Sequence, residues 1–182
     1  LDPGAANGFT LGTLKTTMGT LVCASGTNFV TSPNKGQQEP GLWVNGGTLL
    51  VAGGVLKTTS LMYVNLDNYG SLVITNGLLD CTSCNELLNA IGSPSKTTVS
   101  GSGVLNVNAL RISQCGGSVS NAIVNVNTGG VIRLNNFYID TGAIQKGLVN
   151  FNGGTAVAKT DNVDFLGTMH IRWLTNIFVN VM

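Results

Sequence analysis

Short runs of alternating apolar and polar residues recur along this chain, each introduced by glycine. Val131-Ile-Arg-Leu134 follows Val124-Asn-Val-Asn-Thr-Gly-Gly130, and Thr155-Ala-Val-Ala158 follows Val149-Asn-Phe-Asn-Gly-Gly154. The same plan stands in Val44-Asn-Gly-Gly-Thr-Leu-Leu-Val51, Val64-Asn-Leu-Asp-Asn-Tyr-Gly-Ser-Leu-Val-Ile74 and Val99-Ser-Gly-Ser-Gly-Val-Leu-Asn-Val107, with a weaker copy at Gly19-Thr-Leu-Val22. Counted from one shared glycine, the copies begin at Gly19, Gly47, Gly70, Gly103, Gly130 and Gly154, at spacings of 28, 23, 33, 27 and 24 residues. Self-similarity at such a period is the signature of a solenoid.

Each unit holds up to three short strands, such as Val124–Val126, Val131–Leu134 and Phe137–Ile139, then Val149–Phe151, Thr155–Lys159 and Val163–Leu166. Alternate residues (Leu105, Val131, Leu134, Val157) can point into a narrow core. Glycine permits the corners. Asparagine tolerates left-handed backbone and can ladder its amide with an asparagine one coil away. The pattern predicts an all-β parallel β-helix of about six irregular coils, each strand stacked on its equivalent at about 4.8 Å. The alternative is an antiparallel β-sandwich or jelly roll. Two polar excursions, Gly26–Gly41 and Asn85–Thr98, interrupt the rhythm and are expected to project as loops, with one turn of helix at Asn85–Ala90. The expected layout is one domain over 1–182: an N-terminal segment 1–18, coils over 19–168, and C-terminal strands over 169–182.

The N-G-G-T-L-x-V and G-G-V-I-x-L phrases resemble the repeats of autotransporter passenger domains and related surface β-helix proteins, over roughly Gly19 to Lys159. That resemblance implies a right-handed β-helix displayed outside the cell. Four cysteines in a short chain and only about six coils depart from it. In composition the chain also resembles subunits of microbial extracellular sheaths and fibres.

Charged residues make up 9% of the 182 positions and the net charge is +1, with a mean hydropathy of +0.28. This is a foldable β-rich composition rather than a disordered one. It lacks the clustered Lys and Arg of a nucleic-acid binder, so no nucleic-acid partner is expected. No run approaches the roughly 18 apolar residues of a membrane helix. The chain opens on Leu1 rather than Met, which is read here as a mature or trimmed segment, compatible with prior removal of an export signal.

The cysteines are Cys23, Cys81, Cys84 and Cys115. Counting from the repeat glycine places Cys115 over the Cys81–Cys84 segment, and a coil spacing near 4.8 Å lies within the Cα range of about 4.4–6.8 Å that a disulfide spans. A disulfide from Cys115 to Cys81 or Cys84 is therefore expected. One C-x-x-C and a distant single His170 make no zinc site, and no cofactor is expected. Among the carboxylates the nearest grouping is Asp161 with Asp164, preceded by Lys159. They share a face only if the strand runs on past Thr160, and Asn162 suggests a turn; the chain is read as not an enzyme. Calcium at Asp161-Asn162 or Asp67-Asn68 is a weaker alternative. The aromatics Trp43, Tyr63, Tyr69, Phe137, Tyr138 and Trp173 read first as core or interface, and second as a sugar-binding face.

The functional expectation is a structural subunit of a self-assembling extracellular fibre, sheath or surface layer, with copies of itself as partner. The alternatives are an adhesin of the passenger type that binds a surface glycan and, third, a carbohydrate-active enzyme. Solenoid ends expose unpaired backbone groups. The apolar, uncharged tail Ile177-Phe-Val-Asn-Val-Met182 resembles a joint rather than a protected end, so Trp173, Ile177, Phe178, Val179 and Val181 are the assembly candidates.

Overall fold

The computed structural model describes residues 9–11, 19–30, 42–58, 64–67, 70–82, 87–91, 95–114, 121–139, 146–161 and 165. They form strands in successive groups of three: β1 (Phe9–Leu11), β2 (Thr20–Cys23), β3 (Thr27–Val30); β4 (Leu42–Asn45), β5 (Thr48–Val51), β6 (Val55–Thr58); β7 (Val64–Asp67), β8 (Ser71–Ile74), β9 (Leu78–Cys81). The series continues with β10 (Leu87–Ile91), β11 (Ser95–Val99), β12 (Val104–Val107); β13 (Ala109–Gln114), β14 (Asn121–Asn127), β15 (Val131–Leu134); β16 (Asn136–Ile139), β17 (Lys146–Asn152), β18 (Thr155–Ala158). Every strand pairs in parallel with the strand three places along, giving three six-stranded sheets. We call them A (from β1), B (from β2) and C (from β3). The fold is a parallel β-solenoid, and the sandwich alternative is excluded. The one antiparallel contact among the described residues is an isolated bridge, Asn127 to Gly153.

The interior follows from strand alternation. In sheet B the inward residues stack as Leu21, Leu49, Leu72, Thr97, Val124, Val149 and, beside them, Cys23, Val51, Ile74, Val99, Val126, Phe151. Sheet C contributes Leu56, Leu79, Leu105, Ile132 and Ala156, so Val131 and Val157, expected in the core, lie on the opposite face of their strands. Sheet A contributes Val44, Leu87, Leu110, Ile112 and Phe137. All but Thr97, which is buried but polar, belong to one apolar cluster or, like the partly buried Leu21, pack against it. Each level buries the same few positions, so apolar area accumulates level by level as in other solenoids.

The repeat glycines turn out to mark two corners. Gly19, Gly47 and Gly70 precede the strands of sheet B, and the next levels place Ser95, Ala122 and Gly147 in that column. Gly103, Gly130 and Gly154 belong to a second column before sheet C, which Gly26, Gly54 and Gly77 complete. In this column each glycine carbonyl accepts a hydrogen bond from the residue after the next glycine: Val55 to Gly26 at 2.8 Å, Leu78 to Gly54 at 2.9 Å, Val104 to Gly77 at 2.8 Å. The backbones approach so closely that a β-carbon on Gly77 would stand 2.6 Å from the Gly54 oxygen, and one on Gly154 would stand 2.6 Å from the Val126 oxygen. The 33-residue spacing between Gly70 and Gly103 therefore joins two different corners, and no inserted loop is needed to explain it.

That register changes three expectations. Asn85–Thr98 is not a projecting excursion: it contains β10 and most of β11, both in the stack. Leu87–Ala90 is strand rather than helix, because Leu87 sits between Val64 and Leu110 in a sheet A column. Thr27–Val30, counted with the first loop, is β3; residues 31–41 lie outside the described residues. The stack also begins before Gly19, since β1 pairs with β4. The tail strands expected over 169–182 lie outside the described residues.

Outer faces carry polar ladders. Asn150 Nδ2 donates to Asn125 Oδ1 at 2.8 Å, and Asn152 Nδ2 donates to Asn127 Oδ1 at 3.1 Å. These are the coil-to-coil amide contacts expected of the V-N-h-N phrase.

Candidate assembly surface

The two ends of the stack differ. At the β16–β18 end the core is closed by aromatic rings. Phe137 meets Phe151 with centroids 6.3 Å apart and Phe165 at 5.6 Å, both edge to face. The Phe137 N–H donates to the Phe165 carbonyl at 3.0 Å, so Phe165 lies on sheet A beyond β16. Edge-to-face contact suits the ring quadrupoles.

At the other end β2 and β3 are the last strands of sheets B and C. Their outer edges have no strand partner among the described residues. The interior columns change character there. Beneath Val51 stands the thiol of Cys23, and beneath Leu56 stands Asn28, where higher levels hold Leu79, Leu105 and Ile132. Asn28 Nδ2 donates to Cys23 Sγ at 3.1 Å and to the Ser25 carbonyl at 3.3 Å, while the Cys23 thiol points to the Val55 carbonyl at 3.8 Å. An amide in an interior column is tolerated where it can reach polar partners. Leu21, Val22, Cys23, Asn28 and Leu56 line a depression of about 340 Å³. On the outer faces beside it, Val22 is 48% and Phe29 50% exposed, and these are the exposed large apolar side chains among the described residues.

The sequence candidates fall as follows. Cys23 is buried at the open end. Cys81 is fully buried, and the residue stacked on it is Val107. Cys84 and Cys115 lie outside the described residues, and no disulfide is seen among the described ones. Trp173, Ile177, Phe178, Val179 and Val181 also lie outside them, as do Asp164, His170, Tyr63 and Tyr69. Phe137 is core, which removes it from any sugar-binding face. Trp43 and Tyr138 occupy one stacking column of sheet A, separated by Asn65, Leu88 and Arg111.

The polar groups weighed for catalysis are tied into the scaffold. β18 ends at Ala158, so Lys159 leaves the strand alternation, and its Nζ donates to Asn108 Oδ1 at 2.9 Å and to the Val107 carbonyl at 3.4 Å. This strap reaches from the last described level of sheet C back past β15 to the end of β12. Asp80 Oδ1 accepts from the Thr82 N–H at 3.1 Å, the Thr82 hydroxyl at 2.7 Å and Asn106 Nδ2 at 3.5 Å, and its other oxygen lies 3.7 Å from Lys57 Nζ. Asp80 thereby ends β9 in a side-chain turn. Among the described residues no three His, Cys, Asp or Glu side chains group as metal ligands, and no helix is long and apolar enough to cross a membrane.

The open end was not legible from any motif. Its signal is positional: Val22 and Phe29 occupy outward positions of the two edge strands, and Asn28 an inward one, which shows only once the strands are stacked. No family model, curated protein or solved structure matches the chain.

Proposed function

We propose that this chain is a structural building block that polymerises with copies of itself outside the cell, as a fibre, sheath or surface layer. The observation that carries the reading is the β2–β3 edge, which has no strand partner among the described residues, with its depression and the exposed Val22 and Phe29 beside it. An uncovered edge is a template for further strands, and proteins that stay monomeric blunt such edges with charge, proline or a covering element. β2 and β3 contain no charged residue and no proline. A net charge of +1 over 182 residues provides little repulsion between copies. Display at a cell surface, in the manner of autotransporter passengers, belongs to the same proposal and is supported by the shared N-G-G-T-L-x-V phrasing. In this reading the chain performs no catalysis and its chemistry is that of an interface.

Electron microscopy of the purified chain over a concentration series tests it. Regular polymers with a constant diameter are expected. Dispersed particles of monomer size at every concentration would overturn it.

A further inference from the structure

We infer that two copies of this chain pair face to face through the outer side of sheet C, about a twofold axis that runs along the strands at the level of β12. The contact is lateral and uses neither end of the stack. It therefore goes beyond the polymerisation reading and stands or falls separately from it.

The strands of sheet C open on two consecutive apolar residues: Val55-Leu56, Leu78-Leu79, Val104-Leu105 and Val131-Ile132. The second of each pair is buried in the core, so the first points outward by strand alternation. Strands that are apolar on both sides belong to sheets covered on both faces. Sheet B is built otherwise: at the levels of β5, β8 and β11 its outward residues in the corresponding place are Thr48, Ser71 and Lys96. The register of sheet C stacks Val55, Leu78, Val104 and Val131 into one column four levels tall, and all four are half-buried in the single copy.

A second outward column runs beside it: Lys57, Asp80, Asn106 and Arg133. Asp80 lies 3.7 Å from Lys57 and accepts from Asn106 at 3.5 Å. Arg133 stands two levels from Asp80, is exposed, and has no carboxylate partner among the described residues.

A second copy of this chain matches both columns at once. A twofold axis along the strands at β12 reverses the order of levels but sets each column against itself. Val104 would then meet Val104 of the second copy, and Leu78 would meet Val131. Asp80 would meet Arg133, twice, because the contact is isologous. Arginine can hold a carboxylate through two parallel hydrogen bonds. Lys57 would fall at the rim against Val157, where its stem can lie flat and its ammonium reach water. Strand directions within about 30° of each other are the ordinary geometry of stacked sheets. A twofold along the solenoid axis would instead set the aliphatic column against the charged one. A register centred between β6 and β9 would set Lys57 against Asp80, which already face each other within the chain, and would leave Arg133 uncovered. The overlap is roughly 20 Å by 13 Å, small beside a standard stable interface, so the pair is weak and forms at high local concentration.

The test uses the full chain with four variants, Val104→Lys, Arg133→Glu, Arg133→Lys and Lys57→Met, by sedimentation over a concentration series. A concentration-dependent dimer is expected for the wild type, Arg133→Lys and Lys57→Met. Val104→Lys and Arg133→Glu should weaken it by at least about tenfold, since each sets like charges face to face. Arg133→Lys also permits a carbodiimide cross-link. Mixing isotope-labelled and unlabelled copies of it should yield a peptide pair joining position 80 of one copy to position 133 of the other. A wild type that shows no dimer, or four variants that dimerise alike, would overturn the pairing and leave the polymerisation reading to its own test. Loss with Lys57→Met and none with Arg133→Glu would establish the other register and overturn this one. A lowered thermal midpoint of dilute Val104→Lys would show that the chain covers this face itself, and would also overturn it.

Discussion

Gly103 stands so close to Ile74, one level beneath, that a β-carbon on it would lie 2.5 Å from the Ile74 carbonyl oxygen. The obstacle is backbone, held in place by the Ser100 N–H at 2.9 Å, so it cannot swing away. Gly103→Ala should therefore destabilise the chain by about 1–3 kcal/mol, the usual range for overpacking. At Gly19 a β-carbon would meet nothing within 4 Å, so Gly19→Ala should stay within about 0.5 kcal/mol of wild type in dilute solution. Urea denaturation of both variants, side by side, checks the contrast.

The amide ladder contributes on a smaller scale. Asn150 and Asn125 are half-buried and joined at 2.8 Å. A net hydrogen bond of this kind is worth about 0.5–1.5 kcal/mol. A double-mutant cycle with alanine at both positions should return a coupling energy in that range. A coupling near zero would mean that water serves each amide equally well.

Lys57 and Asp80 should behave differently although they face each other at 3.7 Å. The Lys57 side chain is 47% exposed, so Lys57→Met should change stability by less than about 1 kcal/mol. Asp80→Ala removes the acceptor of the Thr82 N–H and hydroxyl as well and should cost about 1–3 kcal/mol. Comparable losses in both variants would show that the ion pair, and not the turn, is what matters at Asp80.

Phe165 closes the core at the β16–β18 end, 5.6 Å from the Phe137 ring. Phe165→Ala should lower stability by about 3–5 kcal/mol, the range for a buried phenylalanine. Amides of β16 should also exchange faster than those of β13, which lies one level further from the end. Uniform acceleration through the stack would mean that the solenoid opens as a single unit.

What the chain revealed in advance was the architecture, and what it concealed was the register. The V-N-h-N and G-G phrases announced parallel strands and the Asn125–Asn150 ladder, because those residues do the same job at successive levels. The glycines misled because two corners need glycine for one reason: close backbone approach. Gly77 and Gly103 are true equivalents 26 residues apart, yet Gly70, seven residues before Gly77, looks the same in sequence. The misread step turned β10 and β11 into an apparent loop. The open end could not be read at all, since Val22 and Phe29 resemble any outward strand residues until β2 and β3 prove to be last in their sheets.

X-ray fibre diffraction from an aligned assembly tests the central claim most directly. Strands in this solenoid stack along its axis at about 4.8 Å. If copies join through the β2–β3 edge, the solenoid axis is the fibre axis, and the reflection near 4.8 Å falls on the meridian. The same reflection on the equator would mean that the solenoids lie across the fibre and that it grows through their faces alone, which would contradict the account.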